Sequence, residues 1–353
     1  PKGADEHEFL HGLADGLRTA DELQSPFGEK LKVGPRGMLG PLYWEKDTSL
    51  DLDYHIRHSA LPKPGRFRES FALVSRLHGT LLDRNRPLWE MHLIEGLPER
   101  QFAVYAKFHH AALDGVGTAH LLQSMWSTDP DERIHYSPLS MAARDRYVAT
   151  LGVDAPAERE LRNVAEALKA TFDSSANLLG ALRKYVGAWT GSGGSLVVPW
   201  QNVPRSAINT KVDGARRFVA QSWPFARIRA VGKELDGTFN DAVLAMSAGA
   251  LRTFLQNHGE LPRESLKSMV PVSLRRPGDM DSSNAIGAIS ADLATNIADP
   301  VKRFRAIKAS MEAGKDTFSN LSPSEASLFL QLQQLPALLL LPLGLASRFP
   351  PYS

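Results

Sequence analysis

The chain has 353 residues, 43% of them hydrophobic and 23% charged, with a formal net charge of +2 and no cysteine. That length suits one large domain or two ordinary ones, and so small a charge sets up no field for a polyanion, which argues against DNA or RNA as a partner. Without cysteine there are no disulfides, no cysteine–zinc sites and no thiol nucleophile, in keeping with a reducing compartment.

The chain begins at Pro1 rather than methionine, so a natural start upstream is expected; no signal peptide is visible. Residues 5–18 place Phe9, Leu10, Leu13 and Leu17 on one face of a predicted helix, and residues 69–83 repeat the pattern with Phe71, Val74, Leu77 and Leu81. After Pro87, "LWEMHLIEGL" alternates Trp89, Met91 and Leu93, and "QFAVYAKF" alternates Phe102, Val104, Ala106 and Phe108; both read as strands. "GTAHLLQSMW" reads as the next helix, and 127–157 as a loop or crossover. A helix or helix pair is predicted over 158–189, with Leu161, Val164, Leu168 and Phe172 on one stripe, followed by a flexible joint at "GSGGS", 191–195.

The second half repeats the alternation. "RRFVAQSW" is a candidate strand, Phe225, Ile228, Val231 and Leu235 mark a helix, and a further helix stops near Gly259. "LKSMVPVSL" and "AIGAISADL" are strands, and "DPVKRFRAIKASMEAGK" starts a helix with aspartate as cap and proline in the first turn. The pattern predicts an α/β protein of two domains, 1–200 and 201–353, around a shared cleft. The apolar run 335–346 is interrupted by proline and glycine and has about half of the roughly 20 residues a membrane span needs, so it reads as a buried or surface-docked helix.

Two histidine patterns compete for the chemistry. "HEFLH", 7–11, matches the zinc-protease pattern and would put His7 and His11 on one helix face, with Glu29 as a conceivable third ligand. No histidine follows at the longer metal spacing, since Ala14 stands there, and a solvated helix face explains the segment as well.

"KFHHAALDGVG", 107–117, carries H-H-x-x-x-D-G where a predicted strand gives way to a loop and a helix; four fixed positions match by chance on the order of once per thousand chains. Adjacent side chains of a strand point to opposite faces, so one of His109 and His110 is expected to act and the other to hold geometry. Gly115 permits a sharp turn, and Asp114 either orients the imidazole or pairs with an arginine to fix the loop. An imidazole near neutrality takes a proton from a hydroxyl or amine attacking a carbonyl. With no cysteine and no G-x-S-x-G, a covalent acyl-enzyme lacks an obvious nucleophile, which favours direct transfer.

His109, His110, Asp114 and Gly115 match the HHxxxDG motif of the CoA-dependent acyltransferase superfamily, shared with peptide-synthetase condensation domains. "RPLWEMHLIEGL", "NDAVLA", "VPVSLRRPGD", "NAIGA" and "LDLDYHIRHSALPKPG" add features that resemble bacterial wax ester synthase/diacylglycerol acyltransferases over most of the chain. The resemblance implies two chloramphenicol-acetyltransferase-like α/β domains around a cleft or tunnel. It implies transfer of a fatty acyl group from acyl-CoA, a substrate and not a cofactor, to a long-chain alcohol or diacylglycerol.

It implies His110 as general base, His109 in support, and Asp114 as a structural group with Arg275 as candidate partner. Asn240 and Asp241 would shape the site, Asn240 either as an oxyanion donor or as a helix cap. Pro87, Leu88 and Trp89, with Asn284 and Gly287, would line the acyl tunnel or pack. No metal and no cofactor are expected; the location would be cytoplasmic with peripheral contact to a membrane or lipid droplet. The family carries segments ahead of Pro1 and after "PPYS". A condensation-type enzyme using carrier-bound substrates, a non-catalytic lipid carrier and a zinc protease are the alternatives.

Overall fold

The computed structural model describes residues 5–19, 22–34, 42–113, 115–127, 129, 137–151, 176–210, 213–273, 286–319, 321, 325–326, 328–330, 332–333, 336 and 350–353. The chain divides into two compact units, one of Pro1–Glu158, Asp213–Ala220 and Arg276–Ala285, the other of Arg159–Val212, Gln221–Arg275 and Ile286–Ser353. Position 200, the boundary expected from sequence, lies inside a stretch that belongs to the second unit.

In the first unit, helix α1 (Glu6–Arg18) starts at Asp5, whose carboxylate accepts the Glu8 N–H at 3.0 Å. Its stripe of Leu10, Ala14 and Leu17 is buried, whereas Phe9 leans outward against Phe102. Strands β1 (Glu29–Val33) and β2 (Leu42–Lys46) form an antiparallel hairpin. A single turn, α2 (Leu52–His55), leads into β3 (Ile56–Ala60), and helix α3 (Phe67–Gly79) follows. Strand β4 (Trp89–Leu97) is the centre of a three-stranded sheet, parallel to β3 and antiparallel to β5 (Gln101–Phe108).

The period of two decides what each face of this sheet meets. Trp89, Met91 and Leu93 face a core with Ala14, Leu17, Phe27 and Ile56, onto which Phe102, Val104, Ala106 and Phe108 also pack. The other face brings Ile94, Ala103 and Tyr105 against Leu73 and Val74 of α3. After β5 come α4 (Gly115–Met125) and α5 (Met141–Leu151). The helix α5 corrects the expectation of a loop: Ser140 begins it, its hydroxyl accepting the Ala143 N–H at 3.2 Å.

Two further expectations are revised. Helix α3 ends at Gly79, leaving Leu81 93% exposed. A Cβ on Gly79 would stand 2.8 Å from the Gly214 carbonyl, so the chain passes close there. Residues 216–223 pair with no strand; instead the Phe218 N–H donates to Ser75 Oγ at 2.7 Å and its ring meets Phe71 edge-on. A helix, not a sheet edge, is the surface this segment covers.

In the second unit, α6 (Ala176–Trp189) is the described part of the helix expected over 158–189; Leu161, Val164, Leu168 and Phe172 lie outside the described residues. The glycine run after it is closed by hydrogen bonds from Ser192 N–H to Gly187 O and Leu196 N–H to Gly193 O. Helices α7 (Phe225–Glu234) and α8 (Phe239–Asn257), strands β6 (Lys267–Ser273) and β7 (Ile286–Asp292), and α9 (Pro300–Phe318) follow where the periodicity puts them. Their core gathers Leu255, Val270, Ile289, Ile307 and Met311. Residues near Ser353 run beside β6: the Ser353 N–H donates to Lys267 O at 2.9 Å and the Lys267 N–H to Ser353 Oγ at 3.0 Å.

Candidate functional site

The histidine pair stands where the β4–β5 ladder stops. Trp89 pairs with Phe108, and one further rung, His109 N–H to Leu88 O at 2.9 Å, extends the pairing past the strand. The chain then turns: Ala112 N–H donates to His109 O at 2.8 Å, and Ala111 N–H to the His109 ring Nδ1 at 3.1 Å. With Nδ1 accepting, neutral His109 carries its proton on Nε2. His109 is half-buried and held through backbone and ring; His110, next on the turn, is exposed. Gly115 opens α4 three residues beyond the turn, and Asp114 lies outside the described residues.

The corner under the motif is densely packed. Pro87, Leu88 and Trp89 are all buried, and Trp89 is 1% exposed. Its indole N–H donates to Phe27 O at 2.8 Å, and its face stacks on His55 at 4.5 Å between ring centroids. His55 donates from Nδ1 to Trp89 O at 2.7 Å. Burial pushes the His55 imidazole below its ordinary range, against the upward pull of that carbonyl. His55 was not singled out in the sequence; its place ahead of an alternating segment gives no signal until β3 is seen beside β4.

Below the corner, on the α3 face, Glu90 and Lys107 are cross-strand partners joined by a close ion pair, each side chain about one-tenth exposed. Burial pushes the Glu90 carboxyl up; His92 and Lys107 overcome this and hold it at about 2. His92 Nε2 stands 3.9 Å from the carboxylate, beyond hydrogen-bonding distance, so Lys107 is the closer partner.

Asn240 and Asp241 occupy the first turn of α8. Thr238 caps that helix: its hydroxyl accepts the Asp241 N–H at 3.2 Å, while Asp241 Oδ2 accepts the Thr238 N–H at 2.8 Å and its O–H at 2.7 Å. The cap role open to Asn240 therefore belongs to Thr238, and the Asn240 side chain is exposed. Asp241 is buried, and its Oδ1 has no hydrogen-bond partner. Gly287 pairs with Val272 between β7 and β6. Arg275 and Asn284 lie outside the described residues, as does most of 335–346.

The HEFLH segment meets different partners from those a zinc protease needs. His11 Nε2 contacts His7 Nε2 at 3.0 Å, while His7 Nδ1 and His58 Nε2 approach Glu95 Oε2 at 3.4 and 3.3 Å. Glu29 accepts instead from Ser25 Oγ at 2.9 Å. Among the described residues, no group of three or more His, Asp or Glu side chains is arranged to hold a metal ion.

Comparison with known proteins gives the same answer along the whole chain. Residues 1–243 match the model of the wax ester synthase/diacylglycerol acyltransferase catalytic domain, and residues 282–349 that of the WS/DGAT C-terminal domain. A probable diacylglycerol O-acyltransferase of Mycobacterium tuberculosis is 39% identical over 98% of this chain and 72% of its own. The O-acyltransferase WSD of Acinetobacter baylyi is 35% identical over 90% of this chain and 66% of its own.

The solved wax ester synthase/diacylglycerol acyltransferase from Marinobacter aquaeolei VT8 superposes with a TM-score of 0.69 at 34% identity, covering 100% of this chain and 73% of that one. The first condensation domain of the CDA synthetase, at 14% identity and a TM-score of 0.50 over 88% of this chain and 66% of that one, shares the fold alone. By motif, fold and descent together, the chain belongs to the wax ester synthase/diacylglycerol acyltransferase family and is an O-acyltransferase.

Proposed function

We propose that the protein moves a fatty acyl group from acyl-CoA to the hydroxyl of a long-chain alcohol or diacylglycerol, with His110 as general base and no covalent intermediate or cofactor. The supporting observation is the division between two neighbouring imidazoles: His109 is tied by the Leu88 carbonyl and the Ala111 N–H, while His110 is exposed beside it. His110 takes the hydroxyl proton as the oxygen attacks the thioester carbonyl. The tetrahedral intermediate expels the CoA thiolate, which receives that proton from the imidazolium and leaves as free CoA. Asp114 paired with Arg275 would fix the loop, and Asn240 would donate to the oxyanion.

The acceptors are water-insoluble, so the reading includes peripheral contact with a membrane or lipid-droplet surface. No helix among the described residues is long and apolar enough to cross a membrane. Purified protein incubated with palmitoyl-CoA and either hexadecanol or a diacylglycerol should release free thiol and form neutral lipid. His110→Ala should lower turnover by roughly 10²–10⁴-fold while the protein stays folded, and His109→Ala by less. Full turnover by His110→Ala defeats the base assignment. Activity with a carrier-protein-bound acyl chain and none with free acyl-CoA would replace the donor.

A further inference from the structure

The last rungs of β5 are held from both sides, and one side chain does most of the holding. Lys107 stands two residues before His109 and faces away from the Trp89 core. Its ammonium donates to Leu77 O at 2.8 Å, to Thr80 O at 2.9 Å and to the Glu90 carboxylate. An ammonium has three protons, and here each has an acceptor. Leu77 and Thr80 belong to the C-terminal end of α3, where carbonyls lack helical partners and the helix dipole presents its negative pole. Lys107 thus joins β5, β4 and α3 at one point, just before the chain leaves the sheet.

From this arrangement we propose that Lys107 is a positioning residue for acyl transfer: with Glu90 it clamps the end of β5 to β4 and α3, fixing where His109 and His110 leave the strand. Phe108, between clamp and motif, packs on Phe27 on the opposite face, so the strand end is gripped on both sides. Past His109 the ladder has no further rung, and the loop inherits its position from residues 107–109. The inference rests on the reading of His110 as the base.

Lys107→Met alone strands a buried carboxylate, so the deciding variant is Lys107→Met with Glu90→Leu, which removes both charges at similar volume. The double variant should fold with near wild-type Tm, lose roughly 10–100-fold in kcat, and keep KM for palmitoyl-CoA within about threefold. Lys107→Arg, which can reach the same acceptors, should restore part of the kcat. In ¹⁵N-imidazole spectra, His109 should show one Nε2–H tautomer in the wild type and averaged tautomers in the double variant.

Wild-type kcat with an unchanged His109 spectrum overturns the proposal. So does failure of the double variant to fold, which would make the pair a folding requirement. The spectrum is independent of turnover: if His110→Ala stays active while the double variant averages His109, the base assignment fails and the clamp stands.

Discussion

At the residue scale, burial acts in opposite directions on two ionisable groups beneath the histidine motif. His55 is kept neutral: burial lowers its pKa below 6.5, so the unfolded chain binds a proton that the folded chain refuses as pH falls through that value. Its contribution is complete above about 6.5 and is lost on acidification. Glu90 titrates at about 2 instead of 4.5, so it stabilises the fold above 4.5 by on the order of 3 kcal/mol, a contribution lost as pH falls from 4.5 toward 2. Urea unfolding against pH should therefore show two separate declines. His55→Gln should flatten the one that begins near 6.5, and Glu90→Gln the one that begins near 4.5; an unaltered profile in either variant would remove that group from the account.

At the element scale, the crossing of β4 by the loop after β3 needs two glycines. Gly65 has φ +72°, and a Cβ there would stand 1.8 Å from the Gly96 carbonyl; Gly96 itself has φ +86° at the point where the β4–β5 register shifts. Gly191 has φ +87° with nothing within 4 Å of an added Cβ. Gly191→Ala should cost only the backbone term, about 1–2 kcal/mol, whereas Gly65→Ala adds a collision with backbone that no rotamer relieves. Thermal unfolding should show a small loss in the first and a large one, or no folded protein, in the second.

The same elements show what could be read from sequence. β4 and β5 were legible because period-two alternation survives wherever one face is buried, and the turn after His109 because H-H-x-x-x-D-G follows that alternation directly. Helix α5 was not: "MAARDRYVATL" has no continuous apolar stripe, and the one signal was Ser140 at its start. The Glu90–Lys107 pair was also hidden. Rungs from Trp89–Phe108 to Ile94–Ala103 keep one register, but Leu97 pairs with Gln101 across a one-residue shift. Counting back from the turn without that shift puts Lys107 on the wrong face. The roles of Asn240 and Thr238 separate only when capping geometry is visible, since both residue types favour helix starts.

At the scale of the whole molecule, two stretches distant in sequence complete the units. Residues 213–220 cover α3 through Phe218, and the last residues serve the second unit, where Asn209 donates to Tyr352 O at 2.9 Å and Trp200 N–H to Pro351 O at 3.2 Å. Phe218→Ser should speed amide exchange in α3 far more than in β6, and Tyr352→Ala should do the reverse; equal effects of one substitution on both elements would contradict this division of contacts.

The return of Asp213–Ala220 to the first unit also sets an order of events during synthesis. When residue 158 has been made, the α3 surface still lacks Phe218, and it waits for roughly sixty more residues, or about 3–12 s at ordinary elongation rates. Over that interval Phe71 and Ser75 are bare on a nascent chain. A ribosome stalled after residue 158 should hold α3 open to protease, and one stalled with residue 220 clear of the exit tunnel should not.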